Sequence, residues 1–162
     1  MIKKENVEMK KLIICLFVLA MVLCLSACGG DSGKSVDLDK LAKELLDSGA
    51  FSDTLSEPAE GVAAKMYNFE VDDVVKCVLY TGTGATAEEI FLAQTTGSEA
   101  AARVQSLCQT RVQNQQLAFE NYVPTELPKL QSAVIGTAGS YVVLVVSNDS
   151  PACQAIVEKY MN

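Results

Sequence analysis

The spacing of apolar residues changes along the chain, and each spacing predicts a different element. Leucines recur at helical spacing between positions 38 and 46. Asp37 is a good N-cap for this helix, and Gly49 is a good stop. Residues 50–58 have the composition of a loop, and residues 59–66 are compatible with a second short helix.

Strand periodicity begins at Val74. Residues 74–80 alternate and are rich in β-branched side chains, which predicts a strand. Glycines 82 and 84 supply a turn, and residues 89–94 then return as the second strand of a hairpin. Propensity alone is equally consistent with a helix over residues 85–94. We prefer the strand because the segment is short and its neighbour is a strand.

The strongest helical pattern follows this hairpin. Thr96 and Glu99 have capping-box spacing at its start, and Pro124 marks its end. We expect Phe119 and Tyr122 in the core as part of its apolar stripe. The stripe consists of Ala101, Val104, Leu107, Cys108, Val112, Phe119 and Tyr122.

A second hairpin and a closing helix complete the pattern. Residues 130–135 and 141–146 are predicted strands joined by a turn at 136–140, and the second is apolar without alternation, as in strands covered on both faces. Ser150 as N-cap and Pro151 at the first helical position open the last helix. The fold class is α+β: a largely antiparallel sheet of about four strands in two hairpins, with a long central helix and N- and C-terminal helices packed on it.

The N-terminal segment has the organisation of an export signal. Four lysines precede an apolar run over residues 12–25, which is shorter than the roughly 20 residues of a spanning helix. The run ends in Leu-Ser-Ala-Cys, which resembles the lipobox of bacterial lipoproteins. The resemblance implies cleavage between Ala27 and Cys28 and a lipid on the Cys28 thiol. An ordinary secretory signal cleaved near Ala27, or an uncleaved anchor, is the alternative.

These features predict three parts: a signal peptide over 1–27, a lipidated Cys28 with a flexible tether over 28–36, and one α+β domain over 37–162. Removing 27 of the 162 residues leaves 135, a length that suits a single core. Nine of the 13 basic and 18 of the 20 acidic residues remain, a net charge of −9. That charge repels phosphates, so we expect no nucleic-acid partner.

Candidate chemistry is sparse. The chain has no histidine, which excludes Ser-His and Cys-His nucleophile pairs and His-ligated zinc. Cys77, Cys108 and Cys153 lack Cys-x-x-Cys spacing and are expected to be buried and inert, although export permits one disulfide among them. No metal or other cofactor is predicted.

Three further patterns carry weaker hypotheses. Residues 82–87 match G-x-G-x-x-A, which we interpret as an ordinary hairpin turn rather than a dinucleotide site. The acid pairs at 72–73 and 88–89 have the residue type of a glycosidase, but adjacent strand residues point to opposite faces and we expect solvated charge. Gln115 interrupts the apolar stripe, and it either bonds the backbone or marks a polar cleft.

The lipobox, the Glu89-Ile90 strand, and Phe119, Tyr122, Pro124 and Glu126 after a Gln-rich helix together resemble a family of domains of unknown function. Its members are small lipoproteins of low-GC Gram-positive bacteria. The likeness covers residues 38 to about 160. It implies a membrane-anchored envelope protein with one α+β domain, and it implies no activity.

The sequence therefore favours a non-catalytic binding or interaction module, held by lipid on the extracytoplasmic face of the cell membrane. Its partner is an unidentified envelope protein or small ligand. The alternatives are a carboxylate-dependent enzyme acting on envelope glycan, and a structural component of an envelope complex that exposes a large apolar patch.

Lipidation of Cys28 gives the first testable prediction. Cells expressing the wild-type chain should incorporate radiolabelled palmitate into it, whereas the Cys28→Ala variant should stay unlabelled because it lacks the acceptor thiol. Equal labelling of the two proteins would contradict the anchor.

Overall fold

Two hairpins form a four-stranded antiparallel sheet that carries helices on both faces. The computed structural model describes residues 35–162. The predicted signal peptide, the lipidation at Cys28 and nearly all of the predicted tether lie outside the described residues. The helices are α1 Leu38–Asp47, α2 Val62–Tyr67, α3 Ser98–Glu120, α4 Leu127–Gln131 and α5 Ser150–Met161. The strands are β1 Val74–Thr81, β2 Glu89–Thr95, β3 Val134–Ala138 and β4 Tyr141–Val146.

The strand order is β1-β2-β4-β3, so β2 and β4 occupy the centre and join the two hairpins. Phe91 lies opposite Leu144 in this central pair. Every position of β4 is buried, as the unbroken apolar run predicted. The predicted α+β class is confirmed, and the helical alternative for residues 85–94 is wrong because β2 occupies most of that segment.

Side-chain alternation divides the interior into two cores, one on each face of the sheet. Helices α2 and α3 cover one face, where Phe91 and Leu144 meet Val104 and Cys108. Helices α1 and α5 cover the other face. The second core includes Ile90, Leu92, Val143, Val145, Leu41, Leu45, Cys153 and Val157. Val36, just before α1, is also buried there.

The start and end of α3 differ from the sequence prediction. The N-cap is Gly97 and no side chain caps the helix, so the predicted Thr96–Glu99 capping box is wrong. The backbone N–H of Thr96 instead donates to the Asp73 carbonyl at 3.0 Å. Tyr122 follows the last helical residue and is 67% exposed, which corrects its assignment to the core. Phe119 is buried as expected.

The predicted strand at 130–135 is also corrected. Leu130 belongs to the short helix α4 and is buried. A 3₁₀ turn that begins at Pro124 precedes this helix. The strand begins at Val134, and the hairpin turn lies at Gly139, whose φ of +56° suits glycine. Helix α5 is capped by Asp149, not Ser150, because the Asp149 carboxylate accepts from the N–H of Ala152 at 3.1 Å.

Within residues 35–162, no helix combines the length and apolar character that crossing a bilayer requires.

The doubly covered centre of the sheet yields a stability prediction. Leu144→Ala removes a side chain with 0% exposure and should lower the free energy of unfolding by about 2–5 kcal/mol. The control Leu117→Ala, at a leucine that is 67% exposed, should change it by about 0.5 kcal/mol or less. Urea unfolding of both variants measures the difference, and equal losses would contradict the two-core packing.

Candidate functional site

An open cleft of about 460 Å³ lies between the β1–β2 connection and the C-terminal half of α3. Residues 81–89 form one wall, and one face of α3 forms the other. The side chains from α3 and the turn after it are Arg111, Gln115, Ala118, Phe119 and Tyr122. These positions recur every three or four residues, so they share one face of the helix.

A buried ion pair lies at the polar end of the cleft. Glu89, the first residue of β2, accepts from Arg111 Nη2 at 2.7 Å and from Nε at 3.3 Å. The Tyr67 hydroxyl, at the end of α2, also donates to Glu89. The Tyr67 ring stacks on Phe91 with centroids 4.0 Å apart. The guanidinium thus lies between Glu89 of β2 and the Tyr67 ring of α2, whose centroid is 5.9 Å from Arg111 Cζ.

Protonation at this end is set by burial and by the ion pair. Burial opposes the charge of Arg111, but hydrogen bonds and attraction from Glu89 outweigh it and raise the pKa of Arg111. Burial, reinforced by the charge of Glu89, raises the pKa of Tyr67 well above its usual value. Arg111 therefore stays charged and Tyr67 stays a hydroxyl donor at neutral pH. The Arg111 and Glu89 charges cancel each other.

The uncommitted polar groups of the cleft lie on α3. Gln115 is one turn beyond Arg111, and its amide makes no hydrogen bond within the described part of the chain. A guanidinium has five N–H donors, and Glu89 uses two of those of Arg111. The arrangement offers donors from both side chains, and an acceptor from Gln115, to a molecule in the cleft.

The opposite end of the cleft is apolar. Ala118 and Phe119 line it, and Tyr122 borders it. The Tyr122 and Phe119 rings are 6.0 Å apart at 59°, an edge-tilted contact that leaves most of the Tyr122 ring exposed. The cleft thus grades from a charged, hydrogen-bonding end to an aromatic end along one helix.

Asp53 shapes the loop wall. Its carboxylate Oδ2 accepts from the Thr83 N–H at 2.8 Å and from the Thr83 and Thr86 hydroxyls at 2.9 Å. These hydrogen bonds, led by that of the Thr83 N–H, lower the pKa of Asp53 to about 2. A Cβ on Gly82 would lie 2.7 Å from Asp53 Oδ2, so a side chain at this position would displace the Asp53 carboxylate. The segment connects two strands of a hairpin, which confirms the turn interpretation of the G-x-G-x-x-A match.

Glu88 faces away from the ion pair of Glu89. Its carboxylate accepts from Lys129 Nζ at 2.9 Å, the Ser52 hydroxyl at 2.7 Å and the Asp53 N–H at 2.8 Å. Burial opposes the Glu88 charge, but the hydrogen bonds of Lys129 and Ser52 outweigh it and lower the pKa of Glu88. Lys129 also pairs with Glu126 at 3.0 Å. This network ties α4 and the 50–53 loop to the sheet.

These contacts decide the outcome for the acid pairs. Glu88 and Glu89 do point to opposite sides, but the expectation of solvated charge is wrong for them, because they are 1% and 4% exposed. Asp73 forms an ion pair with Arg103 at 2.5 Å. Each of the three carboxylates is committed to a cation of the protein.

The cysteines form no disulfide among the described residues. Cys108 and Cys153 are buried and Cys77 is half-buried. Burial raises the pKa of all three thiols, that of Cys108 to about 12. Thiols in such surroundings are poor nucleophiles. Residues 35–162 also contain no cluster of three or more His, Cys, Asp and Glu side chains suited to a metal ion.

The structure places the candidate Gln115 in the cleft, whereas Ala27 and Cys28 lie outside the described residues. Sequence reasoning missed Arg111, and it considered Glu89 only as one of an acid pair expected to be solvated. Arg111 lies four residues before Gln115, so the helical spacing that singled out Gln115 also marks Arg111 on the same face. No sequence spacing connects either of them with Glu89.

Comparison with known protein families gives a match over much of the chain. A family described as a domain of unknown function (DUF4358) matches residues 50–147, which include Glu89, Arg111 and Gln115. No curated protein and no solved structure matches the chain. The resemblance to a family of domains of unknown function is thereby confirmed.

The buried ion pair predicts an asymmetric mutational response. Arg111→Met leaves Glu89 buried without a cation and should cost about 3–5 kcal/mol of unfolding free energy. Adding Glu89→Gln should recover part of the loss, because the amide carries no charge. Arg103→Met, which breaks an exposed pair on the same helix, should cost much less in urea unfolding. An Arg111 variant as stable as the Arg103 control would contradict the role of the pair.

Asp53 predicts a pH dependence. Its folded pKa of about 2 lies below the usual 3.8, so its stabilising effect is present above about pH 4 and is lost as the pH falls towards 2. Asp53→Asn should therefore flatten the fall of unfolding free energy between pH 5 and pH 2. Glu57→Gln, at an exposed acid in the same loop, should keep the wild-type slope. If the unfolding free energy of Asp53→Asn falls with pH in parallel with that of the wild type, the stabilising role of the Asp53 carboxylate in the loop wall is refuted.

Proposed function

We propose that this chain, which belongs to the DUF4358 family of domains of unknown function, is a lipid-anchored binding module on the extracytoplasmic face of the cell membrane. Its domain binds a small ligand in the cleft of Arg111 and Gln115 and catalyses no reaction on it. The sequence favours a small lipoprotein of a Gram-positive bacterium.

One observation carries the binding role: an open cleft of about 460 Å³ that contains a fixed guanidinium and a glutamine amide with no hydrogen-bond partner in residues 35–162. Ligand sites are concave, mostly apolar and equipped with a few convergent polar groups, in volumes of about 300–1,000 Å³. The cleft has this composition.

The commitments of the acidic side chains support binding over catalysis. A glycan-cleaving enzyme needs two carboxyl groups on either side of one bond. The Glu89 carboxylate lies at the polar end of the cleft. It already accepts hydrogen bonds from Arg111 and Tyr67. Glu88 faces away towards Lys129. The chain also has no histidine to serve as a base.

The signal segment and the lipobox-like Leu-Ser-Ala-Cys support the anchor. Residues 29–35 can span at most about 23 Å when extended, at roughly 3.3 Å per residue, because Val36 is buried in the domain. The domain would thus work close to the membrane, with a net charge of −9 after residue 27 that favours distance from anionic headgroups.

A ligand screen tests the binding role. The full chain, purified in detergent, is heated with neutral oligosaccharides, acidic oligosaccharides, short peptides, amino acids and nucleotides in separate wells. At least one class should raise the Tm, because a ligand at 100 times its Kd stabilises by about 2.7 kcal/mol. Gln115→Ala should remove the shift. Gln113→Ala, at an exposed glutamine off the cleft face, should retain it. A Tm unchanged by every class would contradict the proposal.

A further inference from the structure

The shape and charge of the cleft narrow the ligand class, on the premise that the proposed function holds. We infer that the cleft binds an uncharged oligosaccharide with amide substituents, such as a chain of N-acetylated amino sugars. One sugar ring lies against Tyr122, and amide and hydroxyl groups bond Gln115 and Arg111. The inference rests on charge, on the exposed ring and on the free hydrogen-bonding groups.

Charge disfavours ionic ligands. The Arg111 guanidinium is paired with Glu89 at 2.7 Å, so the polar end carries no net charge to attract an anion. An anion placed on Arg111 would also approach Glu89, whose repulsion offsets the attraction. A cation gains little, because the Glu89 side chain is 5% exposed and accepts three hydrogen bonds from the protein. A neutral acceptor bonds the remaining guanidinium N–H groups without these penalties.

The aromatic end provides a platform for a sugar ring. Tyr122 is 67% exposed beside the buried Phe119, and their tilted contact presents the tyrosine at the cleft border. An aromatic face combines a large apolar surface with few conformational degrees of freedom. The C–H face of a pyranose is apolar, whereas its edge carries hydroxyls. A ring stacked on Tyr122 therefore directs its hydroxyl edge towards the polar walls of the cleft.

The free polar groups match an amide-bearing sugar. Gln115 has one acceptor oxygen and two donor N–H groups, the complement of an acetamido group with one N–H and one carbonyl. Arg111 supplies donors only, which suit a carbonyl or hydroxyl oxygen. A purely apolar ligand would leave both side chains unpaired on desolvation, which is unfavourable. Hydrogen bonds from an amide-bearing sugar to Gln115 and Arg111 leave the contacts of the Glu89 carboxylate unchanged.

Two trisaccharides of similar length test the inference. The full chain, in a zwitterionic detergent without a sugar headgroup, is titrated with the neutral trimer of N-acetylglucosamine and with the acidic trimer of galacturonic acid. Saturation-transfer NMR and calorimetry report binding. The neutral trimer should bind at least ten times more tightly than the acidic one. Its ring protons should receive saturation from an aromatic side chain.

Variants at positions outside the two cores keep this test independent of folding. Tyr122→Ala and Gln115→Ala should each weaken binding of the neutral trimer at least ten-fold. Tyr122→Phe should retain binding because it keeps the ring, and Leu117→Ala, at an exposed leucine that does not line the cleft, should have no effect. Urea unfolding of each variant confirms that the domain is intact.

The outcomes separate the two proposals. Preferential binding of the acidic trimer, binding of the neutral trimer that survives Tyr122→Ala and Gln115→Ala, or no binding of either trimer would overturn the oligosaccharide inference. In each of these cases the binding role stands if another class in the Tm screen stabilises the wild type and not Gln115→Ala. Both proposals fail if every class leaves the Tm unchanged.

Discussion

Burial of the central strand pair on both faces is the constraint from which the rest of the structure follows. Strands β2 and β4 have no solvent side, because α2 and α3 cover one face and α1 and α5 cover the other. Successive side chains of β2 must therefore enter different cores. Glu88 immediately precedes this strand and Glu89 is its first residue, so each carboxylate enters a different interior region and needs a partner there.

Each glutamate binds a cation from a separate helix. Glu88 binds Lys129 of α4, and Glu89 binds Arg111 of α3. Buried pairs of this kind add little net stability over apolar packing, but losing one partner is costly. They are therefore better regarded as devices that fix register and orientation. One holds α4 and the 50–53 loop on the sheet, and the other holds a guanidinium at the end of a cleft.

The sequence predicted those elements in which local pattern and tertiary packing agree. The unbroken apolar run predicted β4, and the leucine spacing predicted α1. The glycines between β1 and β2 predicted the turn of the first hairpin. It failed where a tertiary partner replaced a local one. The Asp73 carbonyl accepts from the Thr96 N–H, which the Glu99 side chain would bond in a capping box. Leu130 belongs to a one-turn helix that is too short to show a helical periodicity. Likewise Gln115 was singled out by its place in a stripe, whereas the Glu89–Arg111 pair joins residues 22 apart and has no local signature.

Arg111 at one end of the cleft and Phe119 at the other lie on the same helix, so the distance between the two ends is fixed. A helix rises about 1.5 Å per residue, so Arg111 and Phe119 are about 12 Å apart along the axis of α3. That separation cannot change without bending a helix packed against the sheet. Under the proposed binding role, a molecule of one ring would fill one end only, whereas a molecule of several rings would engage both ends at once. Helix α3 would then set the length of the ligand that the site accommodates, in addition to its chemistry.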